Sequence, residues 1–109
     1  MNHSEFVGRI TTHIGAEMGD DHVRDFIEFQ FQDGGNIRVE SLSERSRFDR
    51  IDGDLADLVD VGITSAVSST HYEDGQTFFA LNIASGEGSV TLHWIGDGYI
   101  PYDVEVRQC

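Results

Sequence analysis

The sequence predicts an α+β fold of order α-ββ-α-ββββ, a mostly antiparallel sheet with two helices packed on one face. Three observations predict it. Residues 64–107 alternate β-branched and aromatic runs with glycine-centred breaks, which is the signature of a meander. Residues 22–42 repeat that pattern once, as a single hairpin. Residues 4–18 and 52–62 space their apolar side chains near the helical period. No linker or repeat divides the chain, so residues 1–109 are read as a single domain.

In the first segment Ser4 can cap a helix whose buried stripe is Phe6, Val7, Ile10, Ile14 and Met18. Gly8 and Gly15 weaken it, so packing must hold it. In the hairpin, Ile27, Phe29 and Phe31 alternate before Asp33-Gly34-Gly35, and Ile37 and Val39 follow. A three-residue loop there pairs Phe31 with Ile37 and Phe29 with Val39, and leaves Phe26 on the opposite face. Residues 43–50 read as a loop whose Arg45, Arg47 and Arg50 pair with neighbouring carboxylates. Residues 52–62 read as a short helix capped by Asp52 or Asp54, buried through Leu55, Leu58 and Val59, and ended by Gly62.

The meander's register follows from requiring one continuous apolar face. A type I′ turn at Asp74-Gly75 pairs Thr70–Phe79, Ser68–Leu81 and Ala66–Ile83. A loop at SGEG sets Ala84 opposite Ser89 and pairs Ile83–Val90, Leu81–Leu92 and Phe79–Trp94. A loop at Gly96-Asp97-Gly98 then pairs Trp94–Ile100, Leu92–Tyr102 and Val90–Val104. Small residues beside large ones on this face leave room for a helix. On the opposite face His71, Phe78, Ile95 and Tyr99 form one row, with Ala80, His93 and Pro101 in the next.

Charge carries the functional reading. Twenty acids face seven cations, none of them lysine, for a net charge of −13. Such a surface repels phosphate backbones and anionic lipids and attracts basic proteins. The same acidity also serves solubility or a saline setting. One cysteine, Cys109, cannot form an internal disulfide, and MNHSEF lacks the regions of a signal peptide. Those two features, with no apolar run long enough to span a bilayer, predict a cytoplasmic protein, in the host's cytoplasm if phage-encoded.

No motif for catalysis, cofactor or phosphate binding stands out, so no catalytic residue, metal or cofactor is assigned. Gly86-Glu87-Gly88 precedes a strand-like run instead of a helix and reads as a turn. His13 and Glu17 would share one helix face at i, i+4, which is two metal ligands and no more. The alternating aspartates of residues 52–60 depart from a calcium loop at Leu55-Ala56.

In size and charge alone, carried by no motif, the chain is similar to phage-encoded anti-restriction and anti-CRISPR inhibitors and to bacterial immunity proteins. That similarity implies a non-enzymatic inhibitor bound to the nucleic-acid site of a basic protein, as a monomer or homodimer. The alternatives are an immunity protein or antitoxin that neutralises a toxin, and a small metal-dependent enzyme. The partner-binding candidates are Asp49, Asp52, Asp54, Asp57 and Asp60, extended by Asp103 and Glu105. Asp54, Asp57 and Asp60, at three-residue spacing, would form a row of charges along the second helix. His71, Phe78, His93 and Tyr99 form a second candidate patch.

Overall fold

The computed structural model describes residues 1–17, 25–43, 45–99 and 104–108. Their strands are β1 (Thr11–Glu17), β2 (Phe26–Phe31), β3 (Asn36–Ser41), β4 (Ser46–Asp52), β5 (Ile63–Glu73), β6 (Gln76–Ser85), β7 (Gly88–Asp97) and β8 (Val104–Gln108). They form two four-stranded antiparallel sheets, ordered β1-β2-β3-β8 and β4-β7-β6-β5. One apolar core joins them: Phe29, Ile37 and Val39 of the first sheet and Leu81, Leu92 and Trp94 of the second belong to the same buried cluster. Sheet packs on sheet, as in a sandwich.

The α+β expectation is therefore overturned. Among the described residues no helix reaches seven residues, and the only helical pieces are 3-10 turns at Ser4–Phe6 and Leu55–Leu58. The first expected helix becomes one such turn followed by β1. Gly8 at φ +83° interrupts it, and a bulge at Thr12 then places Thr11 and Ile14 on the same inward face, opposite Phe31 and Phe29. Inserting one residue turns a strand's period of two into a spacing of three, which mimics a helix in the sequence. The second expected helix stops after one turn. Asp54 does cap it, accepting from the Ala56 N–H at 2.9 Å, but Val59 is extended and Asp60 sits at φ +63°.

The segment expected as an arginine loop is β4. Its apolar residues, Phe48 and Ile51, are again three apart, and a bulge at Asp49 turns both inward against Trp94 and Leu92. The expected ion pairs form for Arg47 and Arg50, whereas Arg45 donates to the Asp97 backbone carbonyl at 3.2 Å. Arg50 lies 3.0 Å from Asp49 and 3.4 Å from Asp52, and Arg47 lies 4.0 Å from Asp97.

The β5-β6-β7 meander has the predicted register. Ala66–Ile83, Ser68–Leu81 and Thr70–Phe79 pair, as do Ile83–Val90, Leu81–Leu92 and Phe79–Trp94. Asp74 and Gly75 both take positive φ, 52° and 76°, as a type I′ turn requires. The last strand is placed differently. β4 occupies the free edge of β7, and Val104 pairs with Ser41 on β3 instead of with Val90. The expected partners Ile100 and Tyr102 lie outside the described residues.

The β2-β3 hairpin is shifted by two residues, pairing Phe29 with Ile37 and Ile27 with Val39. Gly34 at φ +90° closes the loop, and the Gly35 N–H donates to Asp33 Oδ1 at 2.7 Å. A two-residue slip leaves every side chain on its face, so the inward set survives the correction. Phe26 does fall on the outer face, where the Arg38 guanidinium stacks 4.0 Å above its ring.

Candidate functional site

Among the described residues, the sandwich is not filled at one end. A cavity of about 670 Å³ lies between β8 and the inner face of the second sheet, with the N-terminal segment along its side. Its size suits a small molecule, since ligand pockets run from about 300 to 1,000 Å³. Phe79, Trp94, Val104 and Val106 supply apolar wall, and Met1 and Leu42 stand at the rim, 82% and 37% exposed.

The cavity exists because β5 presents small residues to the core. Ala66, Ser68 and Thr70 face Ile83, Leu81 and Phe79, so this edge of the inner face is shallow. Among the described residues no helix fills the space. Instead the first residues lie along β5, joined to it by a single antiparallel bridge. The Ser68 N–H donates to Met1 O at 2.9 Å, the His3 N–H donates to Ala66 O at 2.8 Å, and Asn2 bridges Val67. Phe6 anchors the segment. It is fully buried and meets Phe29 and Phe31 edge-on, with ring centroids 5.3 and 6.1 Å away.

That pairing brings together side chains far apart in sequence. His3 Nε2 lies 2.7 Å from Ser68 Oγ, and His3 Nδ1 lies 3.5 Å from Glu5 Oε1. His3 and Ser68 are each 8% exposed, and all three residues line the cavity. The indole N–H of Trp94 is buried away from the cavity surface and has no acceptor among the described residues.

The sequence-predicted acids fall elsewhere. Asp49 and Asp52 lie on edge strand β4, and Asp54, Asp57 and Asp60 follow on the connection to β5. They share one region of the surface but not one helix face. Asp52 is held by the ring of His93, 2.7 Å from its Oδ2. That hydrogen bond, with Arg50 nearby, lowers the Asp52 carboxyl below its ordinary value. Asp57 is half-buried, and its backbone carbonyl accepts from the Ser85 hydroxyl at 2.6 Å. Glu105 is on β8, in the other sheet, at the cavity wall. Asp103 lies outside the described residues.

The second candidate patch is partly assembled. His71 and Phe78 pair and stack, centroids 5.0 Å apart, with Ile95 and Arg47 continuing the row, while Ala80 and His93 lie in the next. Tyr99 is not in that row. It stands 70% exposed and packs on Tyr72, with ring centroids 4.0 Å apart. The β2-β3 hairpin belongs to the opposite sheet and does not cover this outer face. The His13 and Glu17 pair is also dispersed, since four residues along β1 span about 13 Å.

Sequence reasoning missed His3, Glu5, Ser68 and the cavity. The available signal was the run of small residues on the inner face of β5, which did indicate space. Nothing local to His3 showed that it would be laid beside Ser68. No protein-family model, curated protein or solved structure matches this chain.

Proposed function

We propose that the chain binds a small uncharged molecule, with both apolar and polar groups, in the cavity between its sheets. The observation that carries this reading is a ligand-sized cavity with a mixed wall, where Phe79, Val104 and Val106 supply apolar surface and His3, Glu5, Ser68 and Thr77 supply polar groups. His3 and Ser68 would orient the ligand, and Phe79, Val104 and Val106 would hold its body. The acidic surface disfavours anionic ligands. Trp94 is the only tryptophan, so its emission reports on the cavity directly. A neutral apolar dye should bind saturably and change that emission, and Thr70→Trp, at the cavity edge, should abolish uptake while the protein stays folded. Dye uptake undiminished by Thr70→Trp would place binding elsewhere.

A second reading keeps the basic-protein partner, in the manner of an inhibitor that blocks a nucleic-acid site. Arg9, Arg38, Arg47, Arg50 and Arg107 each stand within 4.0 Å of a carboxylate, so the surplus acids govern the surface field. Asp54 and Asp60 are exposed near β4, where a basic surface could approach. With no helix to space them, these charges act as a local field instead of a regular phosphate-like row. Asp49→Asn with Asp60→Asn should slow capture of a basic nuclease and reduce its salt dependence more than Glu73→Gln with Asp74→Asn. Equal effects would leave net charge alone as the cause. If the nuclease proves to be a toxin, the role is that of an immunity protein.

A further inference from the structure

Building on the cavity reading, we propose that the chain hydrolyses small uncharged carboxylic esters, with Ser68 as nucleophile, His3 as general base and Glu5 as positioning residue. The contacts of His3 match these roles. A neutral imidazole has one donor and one acceptor nitrogen. Nδ1 lies 3.5 Å from the Glu5 carboxylate, which can only accept, and with the ring proton assigned there Nε2 accepts from the Ser68 hydroxyl at 2.7 Å. Hydroxyl, imidazole and carboxylate in that order are what activates a serine. The 3.5 Å contact to Glu5 is long, as such contacts often are before substrate closes the site.

One feature sets this group apart from a hydrogen-bonded pair that merely satisfies the core. All three side chains line a cavity large enough for a substrate. The supporting segment is also tied to β5 and to the core. Backbone hydrogen bonds fix His3 to Ala66 and Ser68 to Met1, and Phe6 buries the turn that carries Glu5.

In the first half-reaction Ser68 Oγ bonds to the ester carbonyl carbon while its proton passes to His3 Nε2. The carbon–oxygen bond to the leaving group then breaks, and that oxygen takes the proton from His3 as the alcohol departs. In the second half-reaction water gives a proton to His3 and its oxygen attacks the acyl-serine. The Oγ–carbon bond breaks, the carboxylic acid leaves, and Ser68 recovers its proton. Water is the only co-reactant. Phe79, Val104 and Val106 on the cavity wall give a short hydrocarbon acyl chain apolar contact, and the −13 charge disfavours anionic esters.

The test uses the full chain with 4-nitrophenyl butyrate, an alkyl fluorophosphonate, and the neutral dye of the cavity assay. Wild type should hydrolyse the ester at least about 100-fold faster than Ser68→Ala or His3→Gln, the usual contribution of a general base. The phosphonate should add one phosphonyl group, mapped by mass spectrometry to Ser68. This readout needs no variant, so it survives if Ser68→Ala fails to fold. Glu5→Gln should slow turnover and move the acid limb of the rate–pH profile to lower pH. A Glu5 that served only structure would lower the folded fraction and leave that limb in place. Wild-type hydrolysis no faster than Ser68→Ala, or phosphonate on another residue, overturns the proposal. Saturable dye uptake without hydrolysis overturns the catalytic assignment alone, and no dye uptake removes the cavity reading itself.

Discussion

Replacing Phe6 with Ala tests the N-terminal construction on which the cavity depends. Phe6 is fully buried, contacts two aromatic rings edge-on, and is the main apolar anchor of the first ten residues. Truncating a buried phenylalanine costs about 3–5 kcal/mol, from lost transfer energy and the cavity left behind. The two ring pairs account for about 1–3 kcal/mol of that, at roughly 0.5–1.5 each. Phe6→Leu keeps most of the volume and loses the ring pairs, so it should cost about 1–3 kcal/mol. Urea unfolding measures both, with unchanged m showing that stability alone has moved. Since domains of this kind are stable by about 5–15 kcal/mol in all, the alanine variant should remain folded but be readily distinguished. Its dye uptake should fall under native conditions, because His3 and Glu5 lose their support. A loss below about 1 kcal/mol for Phe6→Ala would show that the segment does not dock. The cavity wall built on it would then fall as well.

Other perturbations test separate parts of the fold. Gly53→Ala should destabilise by more than about 2 kcal/mol: its φ is +108°, and a Cβ there would meet the Ser89 carbonyl oxygen at 2.7 Å. Gly75→Ala also requires positive φ, at +76°, but meets no atom within 4 Å, so it should cost only about 1 kcal/mol. Leu92→Ala, in the centre of the second sheet's inner face, should cost about 2–5 kcal/mol. Trp94, 1% exposed, should emit in the blue in the native state and shift red on unfolding. Acidification should weaken the fold through three carboxyls. Glu28 is lowered by hydrogen bonding to Arg38, Asp33 by Arg9 and the Gly35 N–H, and Asp52 by His93. Each has a folded value below its unfolded one, so its contribution is complete above the unfolded values of 4.5 and 3.8 and is lost as pH falls through the lower folded values. NMR titration of the Asp52 carboxyl should give a midpoint below 3.8 that rises in His93→Gln.

The meander was legible because its information is local. Asp74-Gly75 specifies a turn, and the alternation from Ala66 to Trp94 admits one register that keeps Ile83, Leu92 and Trp94 together. The inward set of the β2-β3 hairpin was equally legible, since its two-residue slip conserves faces. Bulges at Thr12 and Asp49 hid β1 and β4, because each sets two inward residues three apart. Whether such a spacing means helix or bulged strand depends on a partner strand that no local window contains.

What the sequence by itself determined about this protein is therefore which side chains share a face, and a net charge that no fold could change. The tertiary structure alone decided which edges meet. It placed β4 on β7 and β8 on β3, and the first residues of the chain on β5. His3 and Ser68 lie 65 residues apart, and neither has a neighbouring pattern that specifies the other. Their hydrogen bond follows from Phe6 finding Phe29 and Phe31, and from small β5 side chains leaving space beside the core. Edge pairing is satisfied by backbone groups that every residue carries, so it leaves little trace in composition or periodicity, and a site built on it appears only when the chain has closed.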